Sequence, residues 1–147
     1  MKDFQGQVAL VTGAGQGIGF EICRQLAERG ASVLLNDVNP DLTRKASHII
    51  REKFGECTGI SGDAGDPDFI EKMVKTAVEK YGKLTIAIAN AGITLFGDFL
   101  DYSEAAFYQL LRTNLGGSFF LAQAAARQMI AQGGGGSLLF LSSVTGH

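Results

Sequence analysis

The chain has 147 residues, 46% of them hydrophobic and 19% charged, with a formal net charge of −2. That balance supplies one core, so residues 1–147 read as a single domain, and with no run of like charge there is no electrostatic footprint for nucleic acid or an anionic membrane. No apolar stretch reaches bilayer-spanning length, and the Gly-interrupted N-terminus lacks the form of a signal peptide, so a cytoplasmic location is expected.

Short apolar runs alternate along the chain with helical patterns. Val8 to Thr12 (VALVT) reads as the first strand, and the glycine turn after it opens a helix in which Ile18, Ile22 and Leu26 recur every fourth residue until Gly30. Ser32 to Asp37 (SVLLND) is the second strand. Asn39 then caps a helix with Pro40 in its first turn, and Leu42, Ala46, Ile49, Ile50 and Phe54 line its inner face. Cys57 to Ser61 forms the third strand. Asp66 caps the next helix, whose stripe is Ile70, Met73, Ala77, Val78 and Tyr81 up to Gly82. Leu84 to Asn90 is the fourth strand, a long helix runs from near Asp101 or Ser103 toward Ala131, and Ser137 to Ser143 is the fifth strand after the loop Gly133 to Gly136.

This alternation predicts βαβ units, hence an α/β fold: a Rossmann-type doubly wound parallel sheet in three layers. Continuous apolar strands imply burial on both faces. The last strand, rich in Leu and Phe, would leave an apolar edge unless a further strand and a helix on each face cover it, so the sheet reads as incomplete at its C-terminal side, and the chain as part of a longer protein. The long helix carries Phe107, Leu110, Leu111, Phe119, Leu121 and Met129 around most of its circumference, which suggests burial against a partner.

The chemistry concentrates in the turns. TGAGQGIG (Thr12 to Gly19) joins the first strand to the first helix. A helix N-terminus offers unpaired N–H groups and about half a unit of positive charge, and glycines let a diphosphate approach the backbone. The pattern therefore points to a dinucleotide phosphate site, with a purely structural turn as the alternative. Asp37 ends the second strand, where a carboxylate can accept hydrogen bonds from both hydroxyls of an adenosine ribose and repel a 2′-phosphate. That favours NAD over NADP, and no Arg or Lys stands in the glycine turn or beside Asp37 to receive an extra phosphate. A plain turn or capping role for Asp37 in NDVNP is the alternative. Cys23 and Cys57 read as buried hydrophobes, and no Cys/His cluster with metal-ligand spacing exists.

Four motifs stand in order: the glycine turn Gly13, Gly17, Gly19; Asn90-Ala91-Gly92 at the end of the fourth strand; RTNLGG in the long helix; and LSSVTG after the fifth strand. Together they resemble the short-chain dehydrogenase/reductase family, from Gln7 to His147. The resemblance implies that Gly13, Gln16, Gly17, Ile18 and Gly19 wrap a pyrophosphate and that Asp37 holds the adenosine ribose. Asp63, with Ala64, contacts the adenine, or is a solvated turn residue. Asn90, Ala91 and Gly92 lie beside the cofactor, with Asn90 as a strand-end brace in the alternative because Ala89 precedes it where many members carry a second Asn.

The resemblance further implies that Asn114 anchors a water in a proton relay. Gly116 and Gly117, which cost about 1 kcal/mol each relative to Ala inside a helix, weaken or bend it there, or else allow close packing on the sheet. Ser143 matches the catalytic serine whose hydroxyl polarises a substrate carbonyl, with Ser142 structural. The family's Tyr-x-x-x-Lys pair, one helical turn apart, belongs beyond the serine. Tyr81, Tyr102 and Tyr108 all precede it and none has Lys four residues later. His147 reads as a solvated residue, not a substitute acid.

Two functions follow as expectations. One is an NAD-dependent oxidoreductase moving a hydride between nicotinamide and an alcohol or ketone, as the parent enzyme, assembled as a homodimer or homotetramer through the long helix 103–131. The other is a non-catalytic dinucleotide-binding module. The chain by itself is expected to be inactive. A methyltransferase with its own glycine turn is disfavoured, since the three later motifs would then be coincidences.

Overall fold

The computed structural model describes residues 3–143 of the chain. Pro-free runs extend as strands β1 (Val8–Val11), β2 (Ser32–Asp37), β3 (Cys57–Ser61), β4 (Ile86–Ala89) and β5 (Ser137–Phe140), of which β1, β2, β4 and β5 are rich in aliphatic residues and β3 carries Gly59. Between them lie α1 (Gly17–Glu28), α2 (Pro40–Lys53), α3 (Pro67–Tyr81), α4 (Glu104–Leu110) and α5 (Gly117–Ala131). All strand pairs are parallel, in the order β3-β2-β1-β4-β5.

Because side chains alternate across a strand, the same strands feed two cores. Leu10, Leu34, Ala87 and Ala89 pack with Ile70, Met73 and Ala77 of α3 and Leu121, Ala125 and Met129 of α5. Val11, Val33, Leu35, Ile86 and Ile88 pack on the other face with Cys23 and Leu26 of α1 and Ala46 and Ile50 of α2. The fold is thus the three-layer Rossmann-type α/β sheet expected from the sequence. Its order reverses between β1 and β4, where the chain returns across the sheet through α3, and a cleft opens there at the carboxyl ends of the strands.

The strands are shorter than their apolar runs. Thr12 and Asn90 lie just outside β1 and β4, where their side chains tie the two strand ends together, and β5 stops at Phe140. The α1 stripe also differs from its period. Ile18 is 68% exposed, and the inner face is made by Gly19, Cys23, Leu26 and Ala27, one residue round from the large aliphatics. On α2 the buried positions are Thr43, Ala46, Ser47 and Ile50. The long helix is not continuous. A π-helical segment, Leu111–Gly116, separates α4 from α5, and Gly117 N donates to Arg112 O across it. The expectation of burial on both faces holds for β1, β2 and β4 but not for β3, where Gly59 and Ser61 are exposed, nor for β5, where Phe140 is 58% exposed. Leu139 and Leu141 there line an apolar groove with Ile18, Ile22 and Leu26 of α1.

Candidate functional site

The cleft at the switch point has a volume of about 650 Å³. It brings together Gly13, Gln16, Ile18, Gly19, Asp37, Asp63, Ala64, Asn90, Ala91 and Gly92, residues scattered over the first two thirds of the chain. Gly17 lies between Gln16 and Ile18 at the same helix start and lines the neighbouring apolar groove.

The entry to α1 differs from those of α2, α3 and α4. Asn39 accepts from Asp41 N (2.9 Å) and Leu42 N (3.1 Å) at α2, Asp66 from Asp68 N at α3, and Ser103 from Ala106 N at α4. Gln16 makes no capping hydrogen bond, so among the described residues the first-turn amides of α1 have no side-chain cap. Gly17 takes φ +61° with open space where a Cβ would stand. Gly13 and Gly19 leave no such space: a Cβ at Gly13 would lie 2.7 Å from Ala91 Cα, and one at Gly19 would lie 2.5 Å from Asn90 Nδ2. The turn is pulled tight against the end of β4.

That tightness comes from a polar clasp. Asn90 Nδ2 donates to Thr12 O (2.9 Å) and Gly13 O (2.8 Å), while the buried Thr12 hydroxyl accepts from Asn90 N (3.2 Å) and Ala91 N (3.1 Å). Asn90 is therefore a brace between the ends of β1 and β4. Thr12 is its counterpart, and the sequence offered only its place ahead of the glycines as a signal.

Asp37 sits half-buried at the rim. Its Oδ2 accepts from Gly15 N (3.0 Å) and its Oδ1 from Asn39 N (3.0 Å), which fixes the carboxylate while leaving about two further acceptor positions. Beside it Asn36 is fully buried and donates through Nδ2 to Ile60 O and Gly62 O, both at 3.1 Å. Its Oδ1 has no partner among the described residues. A polar residue within SVLLND was the available signal for Asn36, which sequence reasoning passed over.

Asp63 accepts from Gly65 N (2.8 Å) and forms an ion pair with Arg112, whose Nε also donates to Gly65 O. Arg112, Gln109 and Thr113 line the cleft, and none was anticipated as a site residue. They come from α4 and the π segment, and a helical pattern apolar on most sides does not reveal which polar residues turn inward. The same segment carries Asn114. Asn114 Oδ1 accepts from Ile93 N (2.8 Å), its Nδ2 donates to Ile93 O (2.9 Å), and its carbonyl accepts from Ser118 Oγ. Gly117 is a packing glycine, since a Cβ there would lie 2.6 Å from Ala64 O.

Ser143 does not line the cleft. It stands exposed three residues past β5, and Leu141 N still bonds to Ala89 O, so it leaves the sheet at the same end as Asn90. His147 lies outside the described residues. Cys23 and Cys57 are both buried, and burial pushes the Cys57 thiol up to about 12 and raises Cys23 as well. Among the described residues no helix is long and apolar enough to cross a membrane, and no group of His, Cys, Asp and Glu is placed to hold a metal.

A doubly wound parallel sheet with a glycine turn at an uncapped helix start, opening into a cleft at the switch point, defines a Rossmann-type α/β protein. The family is narrower: the short chain dehydrogenase model matches residues 7–147, and the chain belongs to the short-chain dehydrogenase/reductase family. An uncharacterized oxidoreductase of Thermotoga maritima is 40% identical over 133 residues, covering 90% of this chain and 52% of the relative. An L-rhamnose 1-dehydrogenase (NAD(P)(+)) from a Sphingomonas species is 37% identical over 146 residues, covering 99% and 58%. Among solved structures, a short-chain type dehydrogenase/reductase from Mycobacterium marinum superposes with a TM-score of 0.94 at 35% identity, covering 99% of this chain and 59% of that one. An NAD+-bound xylitol dehydrogenase superposes with a TM-score of 0.91 at 34% identity, covering 98% and 55%. The chain thus spans little more than half the length of these relatives.

Proposed function

We propose that this chain is the cofactor-binding part of an NAD-linked oxidoreductase acting on an alcohol or ketone. One observation carries the reading: the uncapped amides of α1 and the fixed Asp37 carboxylate face a single cleft. The residues fit a dinucleotide, because the cradle at Gly13 and Gly19 has no room for side chains and the space at Gly17 is open. When bound, nicotinamide supplies the hydride acceptor or donor.

In this reading Gly13, Gln16, Gly17, Ile18 and Gly19 present the amides and walls that hold the diphosphate. Asp37 accepts from the adenosine ribose and repels a 2′-phosphate, which supports NAD over NADP although one relative's name carries both. Asp63 and Ala64 flank the adenine end, with Asp63 steadied by Arg112. Asn90 keeps the glycine turn against β4 so that Ala91 and Gly92 form the far wall. Asn114 orients the Ile93 backbone and the water path beside it, and the Ser143 hydroxyl donates to the substrate oxygen. Tyr81, Tyr102 and Tyr108 lie outside any Tyr-x-x-x-Lys pattern, so the 147-residue chain alone binds cofactor without turnover. The partners in this reading are a small-molecule substrate and further copies of the chain, joined through the helical run 103–131, where Phe107, Leu115 and Phe119 are exposed. The setting is cytoplasmic, with no nucleic acid or membrane involved.

Isothermal titration calorimetry tests the reading. NAD is expected to bind saturably and more tightly than NADP. Absence of heat with both nucleotides, for folded protein, overturns the proposal, and equal affinity for the two overturns the role of Asp37.

A further inference from the structure

β3 is the outer strand of the sheet on the side away from β5. Glu56 O accepts from Val33 N (3.0 Å) and Gly62 N donates to Asp37 O (3.1 Å), so even-numbered residues of this segment bond toward β2. Successive residues of an extended strand direct their N–H and C=O groups to opposite sides. Gly59 and Ser61, both exposed, therefore turn theirs outward to the open edge.

Along that edge runs a slot of about 610 Å³, floored by Thr58, Gly59 and Ser61 and walled by α2 and the end of α3. Its walls are cationic. Arg44, His48 and Arg51 follow at i, i+4 and i+7 on α2 with Lys45 beside them, Lys80 stands on α3, and no carboxylate among the described residues lines the slot. Of Arg44, Lys45, Arg51 and Lys80 only Arg44 is ion-paired within the described residues, to Asp41 at 2.8 Å. β3 itself carries neither charge nor proline, the devices by which natural edges repel a further strand.

We propose that this slot docks an extended acidic segment of a partner protein, added to β3 as a sixth strand. Alternate side chains of such a strand face one wall, so carboxylates at i, i+2 and i+4 span about 13 Å, against about 10 Å from Arg44 to Arg51 along the helix axis. Charge selects the occupant. A second copy of the chain would bring two cationic walls together, and a nucleic acid would leave the outward N–H and C=O groups of β3 without a strand to pair with.

The test is a fluorescence anisotropy titration with dye-labelled Glu-Val-Glu-Val-Glu-Val-Glu, terminally blocked, at physiological ionic strength. Saturable binding is expected, with amide shifts at Gly59 and Ser61 by NMR. The peptide N-methylated at alternate residues, which cannot complete the ladder, is expected to lose binding. Arg51→Gln combined with Lys80→Gln should weaken the unmodified peptide about tenfold while the unfolding midpoint stays in place. The proposal fails if no saturable binding is seen, if the N-methylated peptide or a Glu-block, Val-block isomer binds equally, or if the shifts fall elsewhere. It fails equally if oligothymidylate competes as well as the peptide, or if sedimentation shows a dimer that the same substitutions dissociate. None of these readouts depends on nicotinamide nucleotides.

Discussion

Asp37 holds two backbone amides and keeps lone pairs for a third group, so its removal tests positioning and recognition together. Asp37→Ala is expected to weaken NAD binding by about ten- to a hundredfold, the effect of losing charge-assisted hydrogen bonds, and to narrow the gap to NADP, as read by calorimetry with both nucleotides. Gly19→Ala acts sterically, because its Cβ would meet Asn90 Nδ2 and Gly13 O at 2.5 and 2.6 Å. A loss of about 1–3 kcal/mol in urea unfolding is expected, together with loss of the NAD signal. The placement of the glycines in a turn and of Asp37 at a strand end was legible because both signals are local. Arg112 was not, since its partner Asp63 is 49 residues away in the chain. Ile18 misled the helical period because an exposed aliphatic at a helix start that lines a cleft looks the same in sequence as one in a core.

At the level of elements, the π segment does what neither α4 nor α5 could do alone. Its wider turn sets Asn114 against the Ile93 backbone, while Gly117 next to it lets the chain rest on Ala64 O. Asn114→Ala leaves the Ile93 amide and carbonyl without these partners and should cost about 1–3 kcal/mol, with faster hydrogen exchange at Ile93 as the specific sign. The sequence made this region helical and marked the glycines as a weak point, yet it did not foretell a π turn. A helix apolar on most sides has no strong phase, so an added residue leaves the pattern nearly unchanged. By contrast, the entries of α2 and α3 were readable to the residue, since Asn39-Pro40 and Asp66-Pro67 combine a cap with a proline that tolerates only the first turn.

Over the whole molecule, strand order is the property least available to pattern reading. Periodicity yields strands and helices but not the return through α3 that places β4 beside β1. Two measurements probe the assembled fold. Cys23 and Cys57 are held protonated by burial, and Tyr81 is raised for the same reason, so the native state keeps protons that the unfolded chain releases. Stability should accordingly fall as pH rises above the ordinary thiol range toward 12, with no labelling of either cysteine by a thiol reagent until unfolding. Phe107 and Phe119, 49% and 57% exposed on α4 and α5, should mediate self-association. Their joint replacement by Ser is expected to lower the sedimenting mass without altering the circular dichroism spectrum.

The bond from Gly117 N to Arg112 O has one more outcome. Each residue of an ordinary helix turns the chain by about 100°, so shortening Leu111–Gly116 by a single position would restore the common winding and swing Asn114 away from Ile93. A one-codon deletion there would give a smoother, more regular rod that has lost its grip on the loop after β4. Length, as much as residue identity, is therefore under constraint in this stretch, and insertions or deletions should be tolerated in the glycine loop before β5 long before they are tolerated here.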